Sequence, residues 1–180
     1  AGERGAVPQE QAVLFVAGVI TSGYSLDQKG MVLMIDESYR AEVLAANDSG
    51  ITVGDGILWQ NGNLYVADEG GSAFRVLGPG GDIRTLADAS AGIVSPEDLV
   101  TDGAGNIFFT DDETGGVWEI DHHGRVRQLA GKRDGLVSTE AIAISPSGRL
   151  LVGDGENSRV FSVTQNGEVT PFLGPETGIR

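Results

Sequence analysis

Five acidic side chains, Asp111, Asp112, Glu113, Glu119 and Asp121, fall within GNIFFTDDETGGVWEID (Gly105 to Asp121), among β-branched and aromatic residues. Carboxylates at this density can hold a hard, oxygen-seeking cation, or can divide general acid and general base work. They can equally be the turn of a hairpin, where a short carboxylate accepts backbone N–H bonds. Other chemistries have little material to work with. The chain has no cysteine, so thiolate metal sites and disulfides are excluded. Its two histidines, His122 and His123, are adjacent in one predicted turn, and no nucleophilic triad can be read. The glycine-rich GPGG (Gly78 to Gly81) has no helix after it, which argues against a phosphate-cradling loop.

The formal charge of −14, from 26 acidic and 12 basic side chains, sets a field that repels a phosphate backbone, so nucleic acid is not an expected partner. One modest basic cluster, GRVRQLAGKR (Gly124 to Arg133), reads as a solvated strand edge or, less ordinarily, as a site. The longest apolar run, AVLFVAGVI (Ala12 to Ile20), is too short to span a bilayer, which takes roughly 20 residues. Residues 1–11 are polar and read as a flexible leader beginning at Ala rather than Met. Acidity and the lack of cysteine fit the periplasm, the extracellular space or the cytoplasm, with the expectation leaning toward the first two.

The elements that must position any site emerge from a repeat. NGNLYVADEGGSAFRVLGPGGDIRTLAD begins at Asn61, AGNIFFTDDETGGVWEIDHHGRVRQLAG at Ala104 and SGRLLVGDGENSRVFSVTQNGEVTPFLG at Ser147, at intervals of 43 residues. Leu64, Ile107 and Leu150 align, as do Val66, Phe109 and Val152, then Asp68, Asp111 and Asp154, then Gly81, Gly124 and Gly167. Each unit reads as four short strands separated by glycine-rich or acidic turns, the signature of a β-propeller blade. An earlier unit, recognisable in MVLMIDESYRAEVLAAN (Met31 to Asn47) with AVLFVAG before it, lacks a first strand. The expectation is an all-β chain of about 3.75 blades of four antiparallel strands. It forms one propeller segment over 12–174, with blades near 12–48, 53–88, 96–131 and 139–174, and a tail at 175–180.

PEDLVTDGAGNIFFTD and GRLLVGDGENSRVFSV resemble the NHL repeat and its relatives in the gluconolactonase and senescence marker protein group. The resemblance covers nearly the whole chain. It implies a ring of six or so blades, more than this chain supplies, with the remaining blades coming from the same protein or another chain, since an open arc leaves sheet faces uncovered. It implies two kinds of activity: a module binding a protein or small-molecule ligand at an acidic channel mouth, or a divalent-metal-dependent lactonase or hydrolase.

Both the turn between second and third strands and the entry into each blade fall on the ligand-bearing face of such a ring. The turn supplies Asp68, Asp111, Asp112 and Asp154 as ligand-face candidates, with Asp98 beside them; Asp98 and Asp112 are the acids that could serve as a base. The entries VGDGI, SPEDL and STEAI place Asp55, Glu97 and Glu140 at corresponding first-strand positions. In the gluconolactonase-like group a P-[ND]-G pattern here supplies a ligand to a divalent cation. Pro96-Glu97-Asp98 resembles that pattern, and Thr139 stands where the proline would precede Glu140. Converging carboxylates need water, protonation or a cation such as calcium between them. Asp55, Glu97 and Glu140 are therefore the metal candidates, alongside the alternative that they are solvated lining residues.

Overall fold

The structure is a computed structural model that describes residues 14–21, 28–46 and 49–178. The predicted leader at 1–11, most of the irregular segment after AVLFVAG and the last two residues of the predicted tail lie outside them. The described chain is all-β, with single turns of 3-10 helix at its connections. Strands β1 (Leu14–Thr21), β2 (Gln28–Ile35) and β3 (Ala41–Ala46) form a three-stranded antiparallel sheet, blade 1. Blade 2 is β4 (Gly54–Gln60), β5 (Asn63–Asp68), β6 (Ala73–Leu77) and β7 (Ile83–Asp88). Blade 3 is β8 (Pro96–Thr101), β9 (Ile107–Asp111), β10 (Gly116–Ile120) and β11 (Val126–Ala130). Blade 4 is β12 (Thr139–Ile144), β13 (Leu150–Asp154), β14 (Arg159–Val163) and β15 (Val169–Leu173). Among the described residues no helix is long and apolar enough to cross a membrane.

Strands pair in chain order because short turns, most of four or five residues, leave no other neighbour within reach. The chain divides into two compact units, residues 1–88 and 89–180, each holding two blades. In the first unit Val32, Met34, Leu44 and Ala45 of blade 1 pack against Ile51, Leu64, Val66 and Leu77 of blade 2. Backbones come close at this contact. The Gly30 N–H donates to Thr52 O at 2.6 Å, and a Cβ on Gly30 would lie 2.1 Å from that oxygen, so only glycine fits. In the second unit Phe108, Val117 and Ala130 of blade 3 meet Leu136, Ile142, Leu150, Val152, Phe161 and Val163 of blade 4. These residues alternate along their strands with residues on the opposite sheet face, as sheet-on-sheet packing requires. Thr139 locks the pair: its buried hydroxyl lies 3.1 Å from Asp111 O and 2.9 Å from Gly116 O, both acceptors.

Third and fourth strands are joined in every blade by one turn type. Its first residue donates to the carbonyl of the fifth (Asp36 to Arg40, Gly78 to Asp82, Asp121 to Arg125, Thr164 to Glu168), and its fourth has positive φ. Glycine supplies that conformation in three blades; Tyr39, at φ 60°, supplies it in blade 1. In blades 1 and 3 the first residue is an Asp whose carboxylate closes the turn. Asp121 accepts the backbone N–H groups of Arg125 and His123, each at 2.9 Å, and the Arg125 Nε at 2.6 Å. The Arg125 backbone N–H is the largest influence, and despite partial desolvation the Asp121 carboxyl is held down to about 2 from its ordinary 3.8. Asp36 is lowered in the same way, first by the backbone N–H of Arg40.

A depressed carboxylate stabilises the fold above its unfolded pKa, and that stability is lost as pH falls through the folded value. The gap in unfolding midpoint between the native chain and an Asp121→Asn variant should therefore be constant above about pH 4 and close by about pH 2. A gap independent of pH across this window would contradict the assignment.

Candidate functional site

The repeated turn aspartates are buried: Asp68 and Asp111 are 0% exposed and Asp154 is 2% exposed. Each reaches back across its own blade to the segment that enters the first strand. Asp68 Oδ1 accepts the N–H groups of Thr52 (2.8 Å) and Val53 (2.9 Å). Asp111 Oδ2 accepts those of Val94 (2.8 Å) and Ser95 (3.2 Å). Asp154 accepts those of Val137 (2.8 Å) and Ser138 (3.3 Å). The rest of each carboxylate is engaged locally: Asp68 by Arg75 Nε at 2.6 Å, Asp111 by the Thr114 N–H (3.1 Å) and hydroxyl (2.8 Å), and Asp154 by the Asn157 N–H (3.0 Å) and side-chain amide (2.9 Å). These acids are consumed in holding the blade together.

Immediately after the tethered entry, each first strand carries a β-bulge. Gly54 pairs Asp68 and Ile57 pairs Val66, so Asp55 and Gly56 together oppose Ala67. Pro96 pairs Asp111 and Leu99 pairs Phe109, so Glu97 and Asp98 oppose Thr110. Thr139 pairs Asp154 and Ala141 pairs Gly153, which leaves Glu140 as the extra residue. A bulge re-aims the side chains it carries. All three metal candidates thus sit on bulges: Asp55 and Glu140 are exposed, and Glu97 is half-buried with the Ser95 hydroxyl 3.4 Å from its Oε1.

The structure brings Asp55 together with an acid that the sequence reading did not select. Oxygens of Asp55 and Glu69 lie within 4.8 Å of each other, close enough to share one ion. Glu69 follows Asp68 in the acidic turn and aligns with Asp112; Gly155 takes this place in blade 4, so repetition alone did not mark it. Glu140 lies over Gly155, where a Cβ would be 2.5 Å from its Oε1.

Asp98 and Asp112 both grip the next blade. Asp98 Oδ2 accepts the Ile142 N–H at 3.1 Å, its Oδ1 accepts the Leu99 N–H at 2.8 Å, and its own N–H donates to Thr110 Oγ1 at 3.2 Å. Asp112 accepts a very short bond from the Ser138 hydroxyl, and its N–H donates to Ser95 O at 2.9 Å. The tryptophans are engaged in packing: Trp59 stacks on Phe15 with centroids 5.2 Å apart, and Trp118 on Phe109 at 6.2 Å. His122 and His123 are exposed in the blade 3 turn.

The bulged four-stranded sheets follow one another along the chain, and comparison with solved structures decides the architecture. Over 91% of this chain and 59% of the other, virginiamycin B lyase from Staphylococcus aureus, a catalytically inactive histidine-to-alanine form with quinupristin, superimposes with a TM-score of 0.70 at 14% identity. The fold is a β-propeller. A nidogen/laminin complex gives 0.67 at 18% identity, covering 84% of this chain and 61% of that one. A gluconolactonase-like protein gives 0.64 at 17% identity, covering 93% and 65%. This chain therefore spans about three-fifths of the length of the propellers it matches. No family model matches it, and no curated protein does.

Removing a buried carboxylate that answers several donors leaves those donors unpaired in a dry site. Asp68→Ala, which strands Arg75 and two backbone N–H groups, should cost about 3–5 kcal/mol in denaturant unfolding. A loss below about 1 kcal/mol would show that the tether does not hold the blade.

Proposed function

We propose that the chain is a propeller segment that binds a protein or small-molecule ligand through the acidic residues on its first-strand bulges. The observation that carries this reading is the contrast between two repeated sets of acids. Asp68, Asp111 and Asp154 are buried and saturated with donors, whereas Asp55, Glu97 and Glu140 are displayed on bulges in three consecutive blades. Displayed carboxylates favour cationic groups and speed their encounter. Asp98 and Asp112 are bonded into the neighbouring blade, which suits a rigid scaffold better than a mobile base. The nidogen/laminin structure supports the reading, since a propeller of this shape there belongs to a protein complex. The inactive lyase carries a substituted histidine; the two histidines of this chain stand exposed in a strand-connecting turn, away from the bulges.

Binding of a basic probe peptide, followed by titration calorimetry, should weaken severalfold in an Asp55→Asn, Glu97→Gln, Glu140→Gln variant. Surface substitutions of this kind shift stability by only about 0.5 kcal/mol each. Unchanged affinity, or absence of saturable binding in the native chain, would contradict the proposal.

A second reading, a divalent-cation-dependent lactonase or hydrolase, rests on the approach of Asp55 and Glu69 and on the gluconolactonase-like neighbour. In it Asp55 and Glu69 would supply carboxylate oxygens, and a calcium-like ion would supply Lewis acidity. Calcium at 100 times its dissociation constant should then add about 2.7 kcal/mol to stability, an increment lost in Asp55→Asn and Glu69→Gln. No calcium-dependent change in unfolding would exclude it.

A further inference from the structure

We propose that a second site, chemically opposite to the acidic bulges, lies at the outer end of blade 3: a cavity of about 470 Å3 lined by Thr114, residues 128–131, Lys132, Arg133 and Asp134, which takes a small ligand bearing a carboxylate or phosphate head. Three observations support it, beginning with charge. Among the described residues six ion pairs bind arginines to carboxylates: Arg40 to Asp36, Arg75 to Asp68, Arg84 to Asp82, Arg125 to Asp121, Arg127 to Glu119 and Arg159 to Glu176. Lys132 and Arg133 enter none of these pairs. Lys132 Nζ donates to the neutral carbonyl of Glu113 at 2.9 Å, and the one acid on the cavity wall, Asp134, is occupied by the Gly131 N–H at 3.0 Å. Asp134 keeps its negative charge, so the wall sets two cations against one carboxylate, an excess of positive charge in a chain of charge −14. A guanidinium beside an ammonium is the ordinary recognition set for carboxylate and phosphate oxygens.

The repeat provides the second argument. The same 3-10 turn follows blades 2, 3 and 4, each time closed by a glycine with positive φ (Gly92, Gly135, Gly178) whose N–H returns to Ala89, Lys132 or Pro175. At the positions of Lys132 and Arg133 the other two turns carry Ala89 and Ser90, or Pro175 and Glu176. The turn forms without cations, so its geometry does not explain them.

The third argument is an unanswered donor beside the cavity wall. Trp118 is 6% exposed, and its indole Nε1 is buried with no hydrogen-bond partner. A Cβ on Gly116 would lie 2.4 Å from Nε1 and 2.7 Å from Thr114 Oγ1, so the indole N–H and the cavity-lining hydroxyl crowd against the same stretch of backbone, which only glycine tolerates. On the same sheet face, directly across the strand pair from Trp118, stands Gln128, which also lines the cavity. An acceptor atom entering beside Thr114 would answer a donor that is otherwise costly to bury.

The test uses the full chain with two probes, inorganic phosphate and acetate, read by amide chemical shifts of Gly131 to Asp134 and by Trp118 fluorescence in a Trp59→Phe background. Saturable shifts at these amides with at least one probe are expected, and the preferred probe identifies the head group as phosphate or carboxylate. Lys132→Ala with Arg133→Ser reproduces the residues of the equivalent blade 2 turn and should lower affinity roughly tenfold or more. Arg84→Ser, which removes a cation elsewhere, should leave affinity unchanged. Shifts that never saturate with either probe, or equal affinity in the double variant, would overturn the proposal.

Discussion

A carboxylate removed from water has to be answered by donors fixed in place, and Asp68, Asp111 and Asp154 are answered by the two backbone N–H groups that lead into their own blade's first strand. Much of the blade follows from this. The tether brings the start of the first strand to the turn between second and third strands, so the entry cannot swing, and the pairing of Gly54, Pro96 or Thr139 with the Asp itself sets the register there. The bulge comes one residue later. A displayed acid at Asp55, Glu97 or Glu140 is therefore aimed by a buried acid, and recognition on the surface depends on a polar interaction that a ligand never touches.

The tether is repeated, but what completes it is not. Asp68 is neutralised by Arg75, whose own exposure is small; Asp111 is completed by Thr114 and Asp154 by Asn157, both uncharged. Backbone N–H groups and hydroxyls can hold an anion without a counter-charge if they are numerous and rigid. Only the two entry N–H groups are fixed partners, so the residue that completes the carboxylate is free to vary, and in blade 3 that freedom places a hydroxyl on a cavity wall.

The all-β class, the four-stranded antiparallel blades and the shortened first blade were legible in the sequence, because period-2 hydrophobicity and a 43-residue recurrence report directly on which residues must be covered. The alignment of Asp55, Glu97 and Glu140 was legible too. What it could not convey is the bulge, since one extra residue leaves the apolar alternation of so short a strand nearly intact while reversing the face of everything on one side of it. The same blindness covers the fourth strands, where Leu44, Leu86, Leu129 and Phe172 are each the extra residue. Glu69 escaped notice for a different reason. Its position is acidic in two blades and glycine in the third, so repetition gave it no weight, and only the fold brings it beside Asp55.

Departures from the repeat are where chemistry separates from architecture. A residue that recurs from blade 2 to blade 4, such as the turn Asp or the positive-φ glycine, is accounted for by the blade itself. Lys132 and Arg133 are present once, on a turn that also forms from Ala-Ser and Pro-Glu, so the turn itself does not require them. The acidic field of the whole chain opposes an anion at long range. At physiological ionic strength, however, that field decays over about 8 Å, so two cations at contact distance outweigh dispersed acids farther away. The bulge acids and this cavity therefore prefer opposite charges, and salt should weaken both without either depending on the other being filled.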